Sequence, residues 1–402
     1  MRAERLVKVG TARVVAMRLA EAVLSSEDCG SEPDCVWSAL QALINADNLN
    51  SANEHCRRLS RQPGWARSEQ DRHLLTVTRA RIWMLSGRSA EASELLEHLL
   101  AQDVGEERSG LVVAWLVEAF IQIGELDRAQ GVLAERDLAG SLAADVHARA
   151  HILASRAALN IGLGQFSSAI DDYSTCGRIL AGEGVTNPAI VPWRAGAALG
   201  AIGVRRFDLA LALAEDELAA ARRWGAPRAV GSALHVLALA RRDEESLALL
   251  EQAVELFEHA QVRNELMHAL YDLGAMHMER NDFAAGRSRF EAVGAVARMS
   301  ANSFWRRRTD AALRRLPCSA QRPRLTRQEC KTAQLARIGY SNRQIAEALS
   351  LQVRTVEFHL SATYRKLSIS GRRELAAALA SSLPEDDPRD SSGITAVSPG
   401  RT

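Results

Sequence analysis

The sequence predicts an all-α protein: a superhelix of paired helices, followed by a four-helix domain built around a helix-turn-helix. Three observations lead there. Helical periodicity runs through nearly the whole chain, with almost no strand signal. Glycine, proline and short polar turns interrupt it at near-regular intervals. Positive charge is concentrated late in the chain. Residues 304–375 carry 16 Lys or Arg against 5 Asp or Glu, a net of +11, while the rest carries 34 against 44, a net of −10. A basic module joined to an acidic body is the pattern of a polyanion-binding part on a differently employed support.

Bulk composition narrows the classes. At 402 residues the chain is too long for one ordinary core, so two or three domains are expected. No run of 18 apolar residues exists, which predicts no membrane-spanning helix and no membrane partner. The first residues lack an apolar stretch with a small-residue cleavage site, so no secretory signal is expected. Six cysteines (Cys29, Cys35, Cys56, Cys176, Cys318, Cys330) are scattered without a C-x-x-C pair. That spacing fits reduced thiols and a cytoplasmic location.

Taken in order, residues 1–66 read as an N-terminal helical segment, with a helix over 11–24. Residues 67–316 hold an internal repeat. Turn positions fall at Gly87, Gly124 and Gly164, then at Arg205, Arg241 and Asn281. Five residues beyond each lies a small side chain: Ala92, Ala129, Ala169, Ala210, Ser246 and Gly286. Twelve residues before each of those sits another mostly small position: Ala80, Val117, Ala157, Ala198, Leu234 and Gly274. Successive units are 37, 40, 41, 36 and 40 residues apart. Small residues at both places let antiparallel helices approach closely. The pattern resembles the tetratricopeptide repeat, whose period is about 34 residues, with a longer, irregular period and few aromatic consensus positions. The resemblance implies a stack with a long exposed concave face, suited to a protein or small-molecule effector. A plain helical scaffold is the other reading.

Residues 317–324 (PCSAQRPR) break the helical pattern and read as a linker. Residues 384–402, rich in Asp, Ser, Pro and Gly, read as a disordered tail. Between them, 325–383 form the basic module. Thr326 and Glu329 make a capping box. Leu335 and Ile338 supply an apolar stripe, and Gly339 closes that helix. Ser341 caps a second helix over 342–349, with Ile345, Ala346 and Leu349 inward. A turn over 350–352 leads to a helix over 353–367 that buries Val356, Leu360, Tyr364 and Leu367. Its other face shows Arg354, Thr355, Glu357, Phe358, Ser361 and Arg365. A last helix starts near Gly371, with Leu375 and Leu379 placed to form a dimer seam.

The module resembles the DNA-binding domain of LuxR-family bacterial transcription regulators. The matching residues are Leu325-Thr326 with Glu329, Gly339, the run 341–346 (SNRQIA), Leu349, Thr355-Val356, His359, Lys366-Leu367, Ile369 and Arg372. Gln328, Thr332-Ala333 and Gln352 depart from the family pattern. The stretch 355–360 (TVEFHL) looks most like the large ATP-binding subgroup. No G-x-x-x-x-G-K-[ST] occurs, so the chain reads as the C-terminal part of such a regulator without the ATP-binding domain. The resemblance implies that Glu357, Phe358 and Ser361 face base edges. Glu357 would accept from a cytosine amino group, and Phe358 would touch a thymine methyl. Asn342, Arg343, Arg354, Thr355, Arg365, Lys366 and Arg372 are placed to hold phosphates. His359 either contacts phosphate or packs. As alternatives, Glu357 is a solvated helix charge, and Arg365 with Lys366 favours the helix C-terminus.

No catalytic constellation or cofactor motif was found. His147 and His151 share a helix face near Asp145, but a metal site needs more ligands, so no metal is expected. His268 and His277 read as surface or partly buried residues. Trp115 and Trp193 read as repeat core, and Trp305 as packing the last repeat onto the linker. Arg306, Arg307 and Arg308 read as a solvated face or a supporting phosphate contact. The expected function is a sequence-specific regulator of transcription, an activator by resemblance, bound to double-stranded DNA as a homodimer. The alternative is a protein-interaction scaffold.

Overall fold

Left-handed turn residues set the architecture of the larger part of the molecule. In the computed structural model Gly87, Gly124, Gly164, Arg205 and Asn281 all have φ between 60° and 80°. The fifth turn residue is Arg242 (φ 56°) rather than Arg241, because the preceding helix runs one residue further than its pattern suggested. A left-handed residue at a helix end frees the chain to reverse and pair with the helix just made. All twelve small or apolar repeat positions named above are buried at the contacts.

The structure describes residues 2–26, 32–102, 106–134, 146–316, 325–367, 369–375 and 378. The linker 317–324, the tail and Leu379 lie outside them. Every regular element among the described residues is helical. The chain divides into two compact units, Met1–Arg315 and Leu316–Thr402.

The first unit opens with α1 (Arg2–Val9) and α2 (Arg13–Ser25), then α3 (Pro33–Asn45), α4 (Leu49–Leu59) and the short α5 (Pro63–Arg67). Paired helices follow: α6 (Glu69–Leu85) with α7 (Ser89–Leu100), α8 (Glu106–Ile123) with α9 (Leu126–Ala134), and α10 (Val146–Gly162) with α11 (Phe166–Gly182). Then come α12 (Trp193–Gly203) with α13 (Phe207–Trp224), α14 (Pro227–Arg241) with α15 (Ser246–Ala260), and α16 (Arg263–Glu279) with α17 (Phe283–Met299). A single helix, α18 (Ser303–Arg314), ends the array. The pair α3–α4 is itself a repeat. Asp47 is left-handed (φ 61°), Ala52 is fully buried, and Ala52 lies 40 residues before Ala92.

The array is wound tightly enough for successive coils to touch. Asn187 Nδ2 donates to Val7 O at 2.8 Å, and Trp224 Nε1 to Asn45 O at 2.7 Å. Arg228 pairs with Asp47 at 3.2 Å, and its backbone N–H donates to the same carboxylate. Asn264 Nδ2 donates to Met84 O at 2.9 Å, and Asn302 Nδ2 to Gln122 O at 3.0 Å. These partners are 179 to 181 residues apart. The turns at Gly10, Asp47, Gly87 and Gly124 therefore each meet the start of a hairpin five further on. Coil is thus stacked on coil, a contact the repeat pattern did not signal.

Coil stacking also explains where glycine is required. A Cβ on Gly87 would come within 2.6 Å of Arg263 Cβ. One on Gly124 would fall on the Phe304 ring and within 2.9 Å of its Cβ. Gly164 faces open space, and the later turns use Arg205, Arg242 and Asn281. Trp305, 1% exposed, packs inside this unit against His268, Tyr271 and Phe304; the linker it was expected to meet lies outside the described residues.

The second unit holds α19 (Arg327–Arg337), α20 (Asn342–Leu349), α21 (Val353–Leu367) and a 3₁₀ turn, Arg372–Glu374. Ala333, Ala336, Ile345, Ala346, Val356, Leu360 and Leu375 form its core. Leu335 packs on this core as expected, but Ile338 is 61% exposed, and the inward stripe of α19 is completed by Thr332, Ala333 and Ala336. Leu375 is fully buried in this core, which removes it from the expected dimer seam.

Candidate nucleic-acid interface

Two reciprocal caps fix the helices that carry α21. Thr326 N–H donates to Glu329 Oε2 at 2.6 Å, and Glu329 N–H to Thr326 Oγ1 at 3.2 Å. A second box follows: Ser341 N–H donates to Gln344 Oε1 at 2.8 Å, and Gln344 N–H to Ser341 Oγ at 3.3 Å. Each satisfies helix N-terminal groups that would otherwise lack partners. Gly339 (φ 101°) ends the α19 segment. Ser350, left-handed at φ 53°, ends α20 and starts the tight turn into α21.

Helix α21 has two distinct faces. Val356, Leu360, Ala362 and Thr363 are buried, and Tyr364 and Leu367 are half-buried. Arg354, Glu357, Phe358, Ser361 and Arg365 are exposed, while Thr355 and His359 are intermediate. Phe358 is 70% exposed, an unusual position for a large apolar ring. The His359 ring lies 6.0 Å from it, edge-on. On α20, Arg343 stands well out and pairs loosely with Glu347 at 3.6 Å, and Asn342 is half-buried.

Two residues expected on phosphates are engaged by the protein. Lys366 Nζ donates to Glu329 Oε2 at 2.6 Å, clamping the end of α21 to the start of α19. Burial pushes the Glu329 carboxyl up, but hydrogen bonds from Lys366 and Thr326 outweigh it and hold the group below the usual carboxylate range. Arg372 donates to Ala336 O at 3.2 Å, to Asn342 Oδ1 at 3.4 Å and to Tyr340 O. Its guanidinium ties the C-terminal 3₁₀ turn to the α19–α20 connection. Among the described residues of the exposed α21 face this leaves Arg354 and Arg365 as open cations, with Arg343 of α20 exposed beside Glu347.

The family described as "Bacterial regulatory proteins, luxR family" matches residues 323–379. Those residues are a luxR-family DNA-binding domain. The same stretch is similar to the transcriptional regulatory protein DegU of Brevibacillus brevis, 44% identical over 50 residues. That match takes in 12% of this chain and about a fifth (21%) of the relative's length. Across most of the chain the fold is similar to two solved structures at low identity. One is a Rap protein complexed with competence and sporulation factor (TM-score 0.49, 12% identity, 90% of this chain and 95% of that one). The other is a signal transduction ATPase with a tetratricopeptide repeat sensor from Pyrococcus horikoshii (TM-score 0.41, 14% identity, 92% and 51%). In this chain the luxR-family domain thus follows an array of paired helices.

Sequence reasoning missed the Glu329–Lys366 clamp, for which spacing alone gave no signal. It also missed the second capping box, which S-x-x-Q at 341–344 did signal. Outside the luxR-family domain, His151 sits edge-on to Trp115 at 6.1 Å, and the His147 side chain lies outside the described residues. His268 is exposed, with its ring edge-on to Trp305 at 4.7 Å. Desolvation, against the pull of Asp272, pushes it down to about 4. Arg308 stacks over Tyr271 at 4.3 Å, while Arg306 and Arg307 are exposed. Among the described residues no helix is long and apolar enough to cross a membrane.

Proposed function

We propose that this chain is a sequence-specific regulator of transcription, an activator, that binds double-stranded DNA as a homodimer and receives a signal through its helical array. The observation that carries this reading is the outward face of α21, with Arg354, Glu357, Phe358, Ser361 and Arg365 exposed on a luxR-family domain. A helix so presented enters the major groove. Glu357 accepts from a cytosine amino group, Phe358 packs on a thymine methyl, and Ser361 reads the adjoining base. Arg343, Arg354 and Arg365, with Asn342, Thr355 and His359, hold phosphates. Lys366 and Arg372 act as positioning residues that fix the pose of α21. Dimerisation on a two-fold site doubles the few contacts one domain makes.

The test is selection of bound genomic fragments by the full chain, followed by affinity measurement over a salt series. Log affinity should fall steeply and linearly with log salt. Uniform weak binding to all fragments, or a flat salt response, overturns the reading.

A further inference from the structure

The helical array holds a cavity of about 450 Å³ that DNA binding leaves without a role. It opens among α1, α3, α8 and α10 and falls within the size range of small-molecule sites. Its wall is aromatic: Trp37 of α3 and Trp115 of α8 lie 6.3 Å apart at 27°, nearly parallel. Val7, Ala42 and Leu111 add buried apolar surface. The formal charges around it cancel. Glu4 pairs with Lys8 at 3.0 Å, and Asp34 and Arg108 contribute one charge of each sign.

Two hydrogen-bond donors in this lining lack an acceptor. They are the indole Nε1–H of Trp115, a residue only 3% exposed, and the amide Nε2 of Gln41. Both are screened from solvent, and buried donors in native proteins are normally satisfied. Gln41 is half-buried, so rotation of its side chain can carry the amide into the cavity.

We propose that this cavity binds an uncharged, flat, conjugated molecule bearing carbonyl oxygen. Its ring lies against Trp37 and Trp115, and its oxygen accepts from the Gln41 amide once that side chain rotates into the cavity. Aromatic walls favour the flat ring, cancelled charge favours a neutral ligand, and the orphaned Gln41 amide calls for an acceptor. Helix α3 connects the site to the coil contacts, because Asn45 lines the cavity and its carbonyl accepts from Trp224 Nε1 on the next coil. Binding stands apart from the regulator reading; only its influence on DNA rests on that reading.

The experiment uses the full chain with ¹⁵N-indole tryptophan and two probes, 9-fluorenone and fluorene, which differ by a carbonyl in place of a methylene. Trp115→Phe identifies the Trp115 signal among the seven tryptophans. Fluorenone should shift the Trp37 and Trp115 signals saturably and bind about tenfold tighter than fluorene. Gln41→Leu should remove that preference while leaving fluorene binding and the remaining indole signals unchanged. No saturable shift up to the solubility limit, equal affinity for the two probes, or a preference that survives Gln41→Leu overturns the proposal. Fluorenone binding without any change in affinity for selected DNA leaves the site standing and removes its coupling. Failure of DNA selection removes the regulator reading and leaves the site untouched.

Discussion

Replacing Gly124 by alanine should damage the protein far more than replacing Gly164, although both glycines end equivalent helices. Both have nearly the same left-handed φ, 78° and 76°. The added Cβ therefore costs each about 1 kcal/mol in backbone strain. At Gly164 nothing lies within 4 Å, so strain is the whole effect. At Gly124 the methyl overlaps the Phe304 ring, and Phe304 Cβ is only 2.9 Å away. Turning the ring cannot relieve the contact with Cβ, so the coils must part locally. Overpacking of this kind adds about 1–3 kcal/mol. The expected losses are about 2–4 kcal/mol for Gly124→Ala and about 1 kcal/mol for Gly164→Ala. Urea titration followed by helical circular dichroism measures both. Phe304→Ala in the Gly124→Ala background should recover part of the loss, giving a coupling of about 1 kcal/mol or more. Equal losses at the two glycines, or additivity with Phe304→Ala, would refute the stacked-coil argument.

Other outcomes follow from the same geometry. Asp47→Ala should cost about 3–5 kcal/mol, since it takes the hydrogen-bonded carboxylate from buried Arg228 and leaves Glu265 to offset only part of the charge; thermal melts check this. Burial pushes the Glu217 carboxyl up to about 8, against the opposing charge of Arg194 at 3.9 Å. Its contribution to stability is whole below the ordinary carboxylate value and is lost as pH rises through about 8, so Glu217→Gln should flatten that pH dependence. Lys366→Gln should destabilise the luxR-family domain by about 1–2 kcal/mol. The clamp it breaks depends on ionised Glu329, so in the unaltered chain this stabilisation should fade as pH drops below the ordinary carboxylate range. By contrast, Arg354→Ala should leave stability alone, weaken binding to all DNA and lower the salt slope by about one, while Glu357→Ala should alter base preference in a selection experiment.

Much of the fold was legible because its signals are local. Turn residues, small positions five beyond them and apolar spacing fixed the hairpins from residue 67 onward. The same ruler laid one step earlier finds Asp47 and Ala52, yet the polar sequence of α4 hid that repeat. Coil stacking was not legible, because contacts 180 residues apart leave no periodic trace in one sequence. The glycine-to-arginine change along the turns was visible but had no meaning without them. In the DNA-binding domain, spacing correctly put Val356 and Leu360 inside and Arg354 and Phe358 outside. It misjudged Ile338, which ends its helix at the surface, and Leu375, whose burial depends on how the chain returns after α21. Lys366 and Arg372 look like any other basic residues until their acceptors are seen.

Because each clamp joins residues about 180 positions apart, the spacing of the whole array behaves as a shared dimension. In a linear repeat protein a hairpin answers only to its immediate neighbours and ends can fray one by one. Here an extra residue in any connection between residues 47 and 228 would tilt every later clamp out of line at once. Loop lengths in this molecule are thus as constrained as its core side chains, and unfolding should proceed as a few large steps instead of peeling hairpin by hairpin.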